Sequence, residues 1–147
     1  MSDGDETEVR EIERVIARQF ASLNWRPATE ADWSGFSADF HLDASLFPSA
    51  RPAKQQTPAA FIERMKGLVR SSLLSLEEKV VGTAVRVYGN VATAVVACEM
   101  VENGTSRSRN VEMLLLVKSD SRWQIVSQAW DRESPSTPMP AYLSKSA

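Results

Sequence analysis

The sequence predicts an α+β domain, in which a cone-like, strongly curved antiparallel sheet packs on three N-terminal helices. Helical patterns occupy the first half of the chain, and four runs rich in Val, Ile and Leu occupy the second half. The turn signals Gly89-Asn90, Asn103-Gly104 and Ser119-Asp120-Ser121 separate these runs. Helices that are segregated from an antiparallel sheet define the α+β class. A twisted sheet with one apolar face is expected to curl around the helices that cover it.

The first predicted helix starts after a disordered segment, residues 1–7. Asp5 and Glu8 have the spacing of an N-terminal capping box. The apolar stripe of this helix consists of Val9, Ile12, Ile16, Phe20 and Leu23. The helix is expected to end near Asn24, because Pro27 disfavours a helical conformation in the residue before it.

Two shorter helices flank a short strand. Thr29, with Asp32 three residues later, predicts the start of the second helix, which carries Trp33, Phe36 and Phe40 on one face. Ala44 to Phe47 is predicted to be a strand. Thr57-Pro58 predicts the third helix, since Thr is a good N-cap and Pro is tolerated in the first turn.

The register of the sheet follows from the turns. Gly89-Asn90 and Asn103-Gly104 are read as two-residue hairpin loops and Ser119-Asp120-Ser121 as a three-residue loop. This register places Met113 opposite Ala94 and Ser127, and Arg109 opposite Asp131. The predicted inner face consists of Val81, Val85, Val87, Ala92, Ala94, Val96, Val111, Met113, Leu115, Val117, Trp123, Ile125, Ser127 and Ala129. The predicted outer face consists of Arg86, Tyr88, Thr93, Glu99, Asn110, Glu112, Gln124, Gln128 and Trp130.

Composition excludes several functional classes. The formal net charge is −2 with both signs interspersed, so no nucleic-acid partner is expected. No apolar run approaches the roughly 20 residues that span a bilayer, and no secretory signal is present, so a cytoplasmic protein without membrane association is expected. The single cysteine, Cys98, excludes an internal disulfide and a cysteine-based zinc site. No metal or cofactor is expected.

Four segments together resemble the nuclear transport factor 2-like (SnoaL-like, ketosteroid isomerase-like) superfamily. These are residues 16–24 (IARQFASLN), 36–48 (FSADFHLDASLFP), 88–92 (YGNVA) and 122–127 (RWQIVS) with Trp130. The resemblance implies a cystatin-like topology over a domain of residues 8–133. It also implies an apolar pocket between sheet and helices, and a homodimer formed through the outer face of the sheet. The remaining residues, 134–147, form a Pro-rich tail that is either a flexible extension or a strap over the domain.

Within this framework we expect a ligand site on the inner face. Its predicted lining is Phe20, Arg109, Val111, Met113, Trp123, Ile125 and Ser127. Small residues on the inner face leave either a cavity or room for a helix to approach closely. Arg109, held by Asp131, would bind an anionic or carbonyl group of the ligand. The structural alternative is a cross-strand ion pair.

His41 and Asp131 are the candidate catalytic bases. His41 is the only histidine and titrates near neutral pH. It lies at the junction of the second helix and the first strand, where a solvated position is the alternative. Asp39, His41 and Asp43 alternate, but this pattern is a weak metal signal because a fourth ligand is missing.

The outer face carries the predicted dimer interface, formed by Arg86, Tyr88, Glu112, Gln128 and Trp130. Large aromatic residues with Arg and amides are typical of interface centres. A carboxylate such as Glu112 would have a raised pKa inside an apolar pocket, but the register places it on the outer face.

Three functions remain open from the sequence. The first is binding of a small apolar or amphipathic molecule. The second is a cofactor-free acid–base enzyme such as a dehydratase, an isomerase or a polyketide-cyclase-like protein. The third is a partner-binding module with a filled core. Fold-level resemblance does not choose among them.

Overall fold

The computed structural model describes residues 2–144 and confirms the α+β class. The elements are α1 (Glu6–Ser22), α2 (Trp33–Ala38), β1 (Phe40–Phe47), α3 (Pro58–Val69), β2 (Leu76–Tyr88), β3 (Val91–Glu102), β4 (Ser106–Ser119), β5 (Arg122–Arg132) and α4 (Ala141–Ser144). The strands form one sheet in the order β1-β5-β4-β3-β2. Strand β1 runs parallel to β5, and the other pairs are antiparallel. No helix among these residues is both long and apolar enough to cross a bilayer.

Capping side chains start the three N-terminal helices. Asp5 accepts hydrogen bonds from the Thr7 and Glu8 amides at the start of α1, and Thr57 accepts one from the Ala60 amide at the start of α3. Asp32, rather than Thr29, caps α2. The hydroxyl of Thr29 instead closes a turn on the Arg26 carbonyl.

The first hairpin has the predicted register, with Val85 opposite Ala94 and Val87 opposite Ala92. The second hairpin does not. Its loop contains three residues, because Glu102 pairs with Ser106. Asn103 and Gly104 both have positive φ, 52° and 75°.

That single extra loop residue reverses the two faces of β4. Ala94 lies opposite Leu114 instead of Met113. Successive side chains in a strand point to opposite faces, so a one-residue shift exchanges them. The residues of β4 that are buried against the helices are Asn110, Glu112, Leu114 and Leu116. The predicted inward placement of Arg109, Val111, Met113, Leu115 and Val117 is therefore wrong.

The third hairpin has a loop one residue shorter than predicted, and its register changes again further along the two strands. Its loop contains only Asp120 and Ser121, since Ser119 pairs with Arg122. A β-bulge follows, because Leu116 pairs with Ile125 but Leu115 pairs with Ser127. Trp123 and Ile125 consequently face inward as predicted. Beyond the bulge, Gln128 and Trp130 face inward, and Ser127 and Ala129 face outward.

A second bulge lies in β2. Val80 pairs with Cys98 and Gly82 with Ala97, which leaves Val81 without a direct partner. This bulge turns Glu78 toward the helices. A bulge inserts one residue and re-aims the side chains beyond it.

Both termini contact the sheet. Asp3 pairs with the edge of β2, with its amide 2.7 Å from the Val85 carbonyl, whereas the sequence predicts disorder over residues 1–7. Leu143 of α4 is fully buried with Ala84 and Ala97 on the outer face. The tail is thus a strap over the outer face, which is one of its two predicted forms. Residues 1 and 145–147 of the predicted terminal segments lie outside the described residues.

Candidate functional site

A cavity of about 170 Å³ lies between the inner face of the sheet and the helices. Its apolar wall includes the rings of Phe20, Phe36, Phe61 and Trp130. The Phe61 ring stacks on Phe36 with centroids 5.3 Å apart, and its centroid lies 5.8 Å from that of Trp130 in an edge-to-face contact. The remaining lining residues are Gln19, Leu23, Leu46, Arg64, Met65, Leu68, Leu73, Leu76, Glu78, Met100, Glu102, Asn110, Glu112 and Gln128.

One side of this cavity is polar and centres on Glu112, whose exposed fraction is 7%. Gln128 Nε2 donates a hydrogen bond to Glu112 Oε1 at 2.5 Å. Gln128 also pairs with Gln19 of α1, whose Nε2 lies 2.9 Å from Gln128 Oε1. The Cys98 thiol lies 3.7 Å from Glu112 Oε2. A chain of amides therefore connects α1 to a buried carboxyl group on β4.

Burial disfavours the ionised form of these carboxyl groups. It raises the pKa of Glu112 to about 7, although the hydrogen bonds from Gln128 and Cys98 act in the opposite direction. The pKa of Glu78 is raised well above its usual value by burial and then by the charges of Glu112 and Glu102. Glu112 is thus poised to gain or lose a proton near neutral pH, as general acid–base groups are.

Positive charge near these carboxyl groups is sparse. Within the described part of the chain, no lysine or arginine forms an ion pair with Glu78, Glu102 or Glu112. Arg64 of α3 lines the cavity, but its guanidinium carbon lies 5.9 Å above the Phe61 ring centroid. The partners of Glu112, the Gln128 amide and the Cys98 thiol, carry no positive charge.

Glu78, Cys98 and Glu112 bring their potential metal-ligand atoms within 4.8 Å of one another. Metal binding requires a deprotonated thiolate. Burial and the nearby Glu112 and Glu78 charges raise the pKa of the Cys98 thiol, which keeps the sulfur protonated. This group is better suited to holding protons than to holding a metal ion.

The predicted ligand-binding residues do not lie together in the structure. Phe20 lines the cavity. Trp123 and Ile125 are buried on the inner face but do not line the cavity. Trp123 Nε1 donates to Glu8 Oε2 at 2.5 Å, and Lys118 Nζ lies 2.6 Å from Glu8 Oε1. These hydrogen bonds lower the pKa of Glu8 and fasten β4 and β5 to α1.

Arg109, Val111, Met113 and Ser127 lie on the outer face, because the second hairpin has a three-residue loop and β5 has a bulge. Arg109 is paired with Glu133, at 2.8 Å from Nε and 2.7 Å from Nη2 to its two carboxylate oxygens. The predicted cross-strand partner, Asp131, is exposed and lies opposite Val111.

His41 lies on β1, away from the cavity lining. Its Nδ1 accepts a hydrogen bond from the Asp43 amide at 3.0 Å, within the irregular part of β1 between Phe40 and Ser45. Neither His41 nor Asp131 lines this cavity, but Asp131 lines a separate outer-face pocket of about 320 Å³ together with Val111 and Met113. Catalysis by His41 or Asp131 stays a prediction.

Three of the five predicted interface residues line the cavity instead. Glu112, Gln128 and Trp130 belong to the site, and Arg86 and Tyr88 remain on the outer side of the edge strand β2. Glu112 stands among apolar residues in the sequence, but the predicted register places it on the wrong face of the sheet. The Asn110-x-Glu112 alternation, with Gln128 on the neighbouring strand, was the available signal for a polar cluster.

Comparisons with known proteins agree with this architecture. A family model described as "Putative lumazine-binding" matches residues 8–131. A nuclear transport factor 2-like protein of unknown function from Pseudomonas putida superposes with a TM-score of 0.71 at 15% identity, covering 92% of this chain and 95% of that chain. A protein with a cystatin-like fold from Nostoc punctiforme superposes with a TM-score of 0.70 at 14% identity, covering 91% and 96%.

A third similar structure carries an enzyme name. It is described as a putative scytalone dehydratase from Novosphingobium aromaticivorans, and it superposes with a TM-score of 0.66 at 14% identity, covering 87% of this chain and 85% of that chain. Identities this low show the fold alone. No curated protein matches the sequence. The match over residues 8–131 shows that this chain belongs to the putative lumazine-binding family, and its fold is that of the nuclear transport factor 2-like structures.

Proposed function

We propose that this protein binds a small, flat, amphipathic ring compound in the cavity between the sheet and the helices. The observation that carries the proposal is a cavity whose lining combines four aromatic rings with the polar side chains of Glu112, Gln128 and Gln19. Ligand sites are typically apolar with a few convergent polar groups.

The size of the cavity supports a ligand with one small ring system. A dry engineered cavity of about 150 Å³ accommodates benzene, and this cavity measures about 170 Å³. The amides and carboxyl groups would pair with ring nitrogens and carbonyls, while Trp130 and Phe61 contact the ring faces. Lumazine, which appears in the family description, has this combination of a flat ring system and a polar edge.

Calorimetric titration with lumazine and a panel of one-ring and two-ring heterocycles tests the proposal. Met65→Trp, which places a larger side chain in the cavity wall, is expected to weaken binding at least about tenfold, equivalent to about 1.4 kcal/mol. Leu42→Trp, at an exposed position of β1 away from the cavity lining, is the matched control and is expected to bind normally. Circular dichroism establishes that both variants fold. The proposal is wrong if no member of the panel binds the unmodified protein.

A cofactor-free acid–base enzyme is the second candidate function. The raised pKa of Glu112, about 7, favours it, because a buried carboxyl group of this kind can take a proton from a bound substrate and return it to another atom. Dehydration and isomerisation both need such a transfer. Glu112 then takes the role that the sequence suggested for His41 or Asp131. The candidate requires that Glu112 ionise near neutral pH.

We also propose that two copies associate through the outer face of the sheet. Apolar side chains remain exposed there, with 59% of Met113, 45% of Leu115 and 48% of Val91 accessible. Contiguous exposed apolar patches typically mark interaction surfaces. The centre of this surface differs from the predicted one, because Glu112, Gln128 and Trp130 point the other way.

A further inference from the structure

We propose that the ligand of this cavity carries a positive charge on a flat group, such as an amidinium or a protonated aromatic amine. This inference rests on the proposed binding function and names the chemical class of the ligand. Its basis is the unequal distribution of charge around the cavity.

Three carboxyl groups from three strands line the cavity. Glu78 lies on β2, Glu102 on β3 and Glu112 on β4. The other titratable or charged groups that face them are the protonated Cys98 thiol on β3 and Arg64 on α3, whereas α1 and β5 contribute the neutral Gln19 and Gln128. One guanidinium, which lies over the Phe61 ring, faces three carboxyl groups.

Among the described residues, Glu78, Glu102 and Glu112 have no lysine or arginine as an ion-pair partner. Burial raises the pKa of both Glu78 and Glu112, and for Glu78 the nearby negative charges add to this effect, so these two groups favour the protonated form. A cation within the cavity would relieve this repulsion and receive charge-assisted hydrogen bonds, which are stronger than neutral ones. The rings of Phe61 and Trp130 would contribute a further attraction to a cation near their faces.

A flat group fits better than a compact ammonium or a metal ion. Trp130 lies directly beside Glu112 on the neighbouring strand, and Phe61 packs against Trp130, so aromatic rings adjoin the carboxyl group. A planar fork of N–H donors matches the two oxygens of a carboxylate. A metal ion would require the Cys98 thiol to lose its proton.

Binding of such a cation is coupled to a proton. Glu112 must be ionised to pair with the ligand, so a protonated Glu112 releases its proton to the buffer as the cation binds. Affinity is therefore expected to rise with pH through neutrality. A neutral ligand of the same shape requires no proton release.

Benzamidinium and its neutral isostere benzamide separate these cases. At pH 8, benzamidinium is expected to bind about tenfold more tightly than benzamide, and the preference is expected to decline by a similar factor at pH 5.5. Calorimetry in buffers of different ionisation enthalpy is expected to record proton release near pH 7 for benzamidinium only.

Glu112→Gln is expected to remove both the preference for the cation and its pH dependence, while benzamide binding persists. Glu78→Gln is the second variant, since it removes a facing carboxyl group and leaves Glu112 intact. Glu99→Gln removes the same charge from the outer face of β3 and is expected to leave the preference unchanged.

Equal affinity for benzamidinium and benzamide at pH 8 would overturn the inference and leave the binding function intact. The same holds if lumazine binds and benzamidinium does not. Failure of benzamidinium, benzamide and all the heterocycles to bind would overturn the proposed function as well.

Discussion

Glu112 is a buried carboxyl group whose hydrogen bonds come from distant parts of the chain. Gln128 donates to it from the neighbouring strand, and Gln19 positions Gln128 from α1, 109 residues away in sequence. The Gln128 amide donates to Oε1 and the Cys98 thiol contacts Oε2, and neither group carries a positive charge. Burial therefore raises the pKa of Glu112 from the usual 4.5 to about 7, although these hydrogen bonds act in the opposite direction.

The free energy of unfolding should reflect this pKa. An acid with a raised pKa in the folded state keeps its proton there while the unfolded chain ionises, so stability declines as the pH rises from about 4.5 to about 7. The decline levels off above pH 7 and reaches roughly 3 kcal/mol. Below pH 4.5 the group contributes no such difference.

Glu112→Gln keeps the shape and the oxygen that accepts from Gln128 but cannot ionise. We expect its stability relative to the unmodified protein to increase between pH 5 and pH 7 and to stay constant above that range. Urea denaturation across pH 4.5 to 8.5 measures this difference. Glu99→Gln serves as the control on the outer face. Parallel stability curves for Glu112→Gln and the unmodified protein would contradict the raised pKa and, with it, the acid–base candidate.

At the level of elements, one loop and two bulges form the polar side of the cavity. The three-residue loop before β4 turns Glu112 inward, the bulge in β5 turns Gln128 and Trp130 inward, and the bulge in β2 turns Glu78 inward. Each is a shift of one residue, and each reverses the side chains beyond it. Bulges occur often beside functional sites because they re-aim single side chains.

Leu143 is the buried apolar anchor of the C-terminal strap, and Met139 packs against the same cluster. Leu143 is fully buried against Ala84 and Ala97, and a Cβ added to Gly82 would overlap the Leu143 carbonyl oxygen. A second attachment involves Glu133, which pairs with Arg109 and accepts from the Met139 amide at 3.0 Å.

Leu143→Ala is therefore expected to release the strap, at a cost of about 2–4 kcal/mol in the opening of this segment, as for other buried leucines. Hydrogen exchange of the amides of residues 139–143 should accelerate while the exchange of α1 is unchanged. Gly82→Ala should produce the same effect with Leu143 intact. Leu42→Ala, at a side chain that is 89% exposed, is the control. Unchanged exchange in both strap variants would show that Leu143 does not anchor the segment.

At the level of the complete fold, the two faces of the sheet are covered differently. The inner face encloses the cavity, and the outer face is covered by the strap on one side and leaves an apolar area around Met113 and Leu115 exposed. A stable dimer buries about 800 Å² on each partner, and the open parts of β3, β4 and β5 provide the surface proposed for it.

Met113→Glu tests the association of two copies. A charge at the centre of this surface would be desolvated and unpaired in the dimer, so we expect the dimer dissociation constant to increase at least about 100-fold, which corresponds to about 2.7 kcal/mol. Light scattering coupled to gel filtration measures the oligomeric state. Leu42→Glu, on the opposite edge of the sheet, should have no effect. A monomeric unmodified protein would refute the dimer.

Local signals in the amino-acid sequence were sufficient to predict the order of the elements from α1 to β5, two of the three helix caps, the first hairpin and the fold class. These signals are capping side chains, the helical spacing of apolar residues and a Gly-Asn turn. They also placed Phe20 in the cavity wall, because the stripe of α1 has only one apolar side to bury.

The face of β4 that covers the helices depends on packing between distant segments. Both faces of this strand are apolar near its middle, with Met113 and Leu115 on one side and Leu114 and Leu116 on the other, so hydrophobic alternation could not choose between them. Loop length decides the register of a hairpin, and Asn103-Gly104 is compatible with loops of two or three residues. The inward placement of Glu112 requires Gln128 and Gln19 as partners, and they meet it only when the sheet curves over α1.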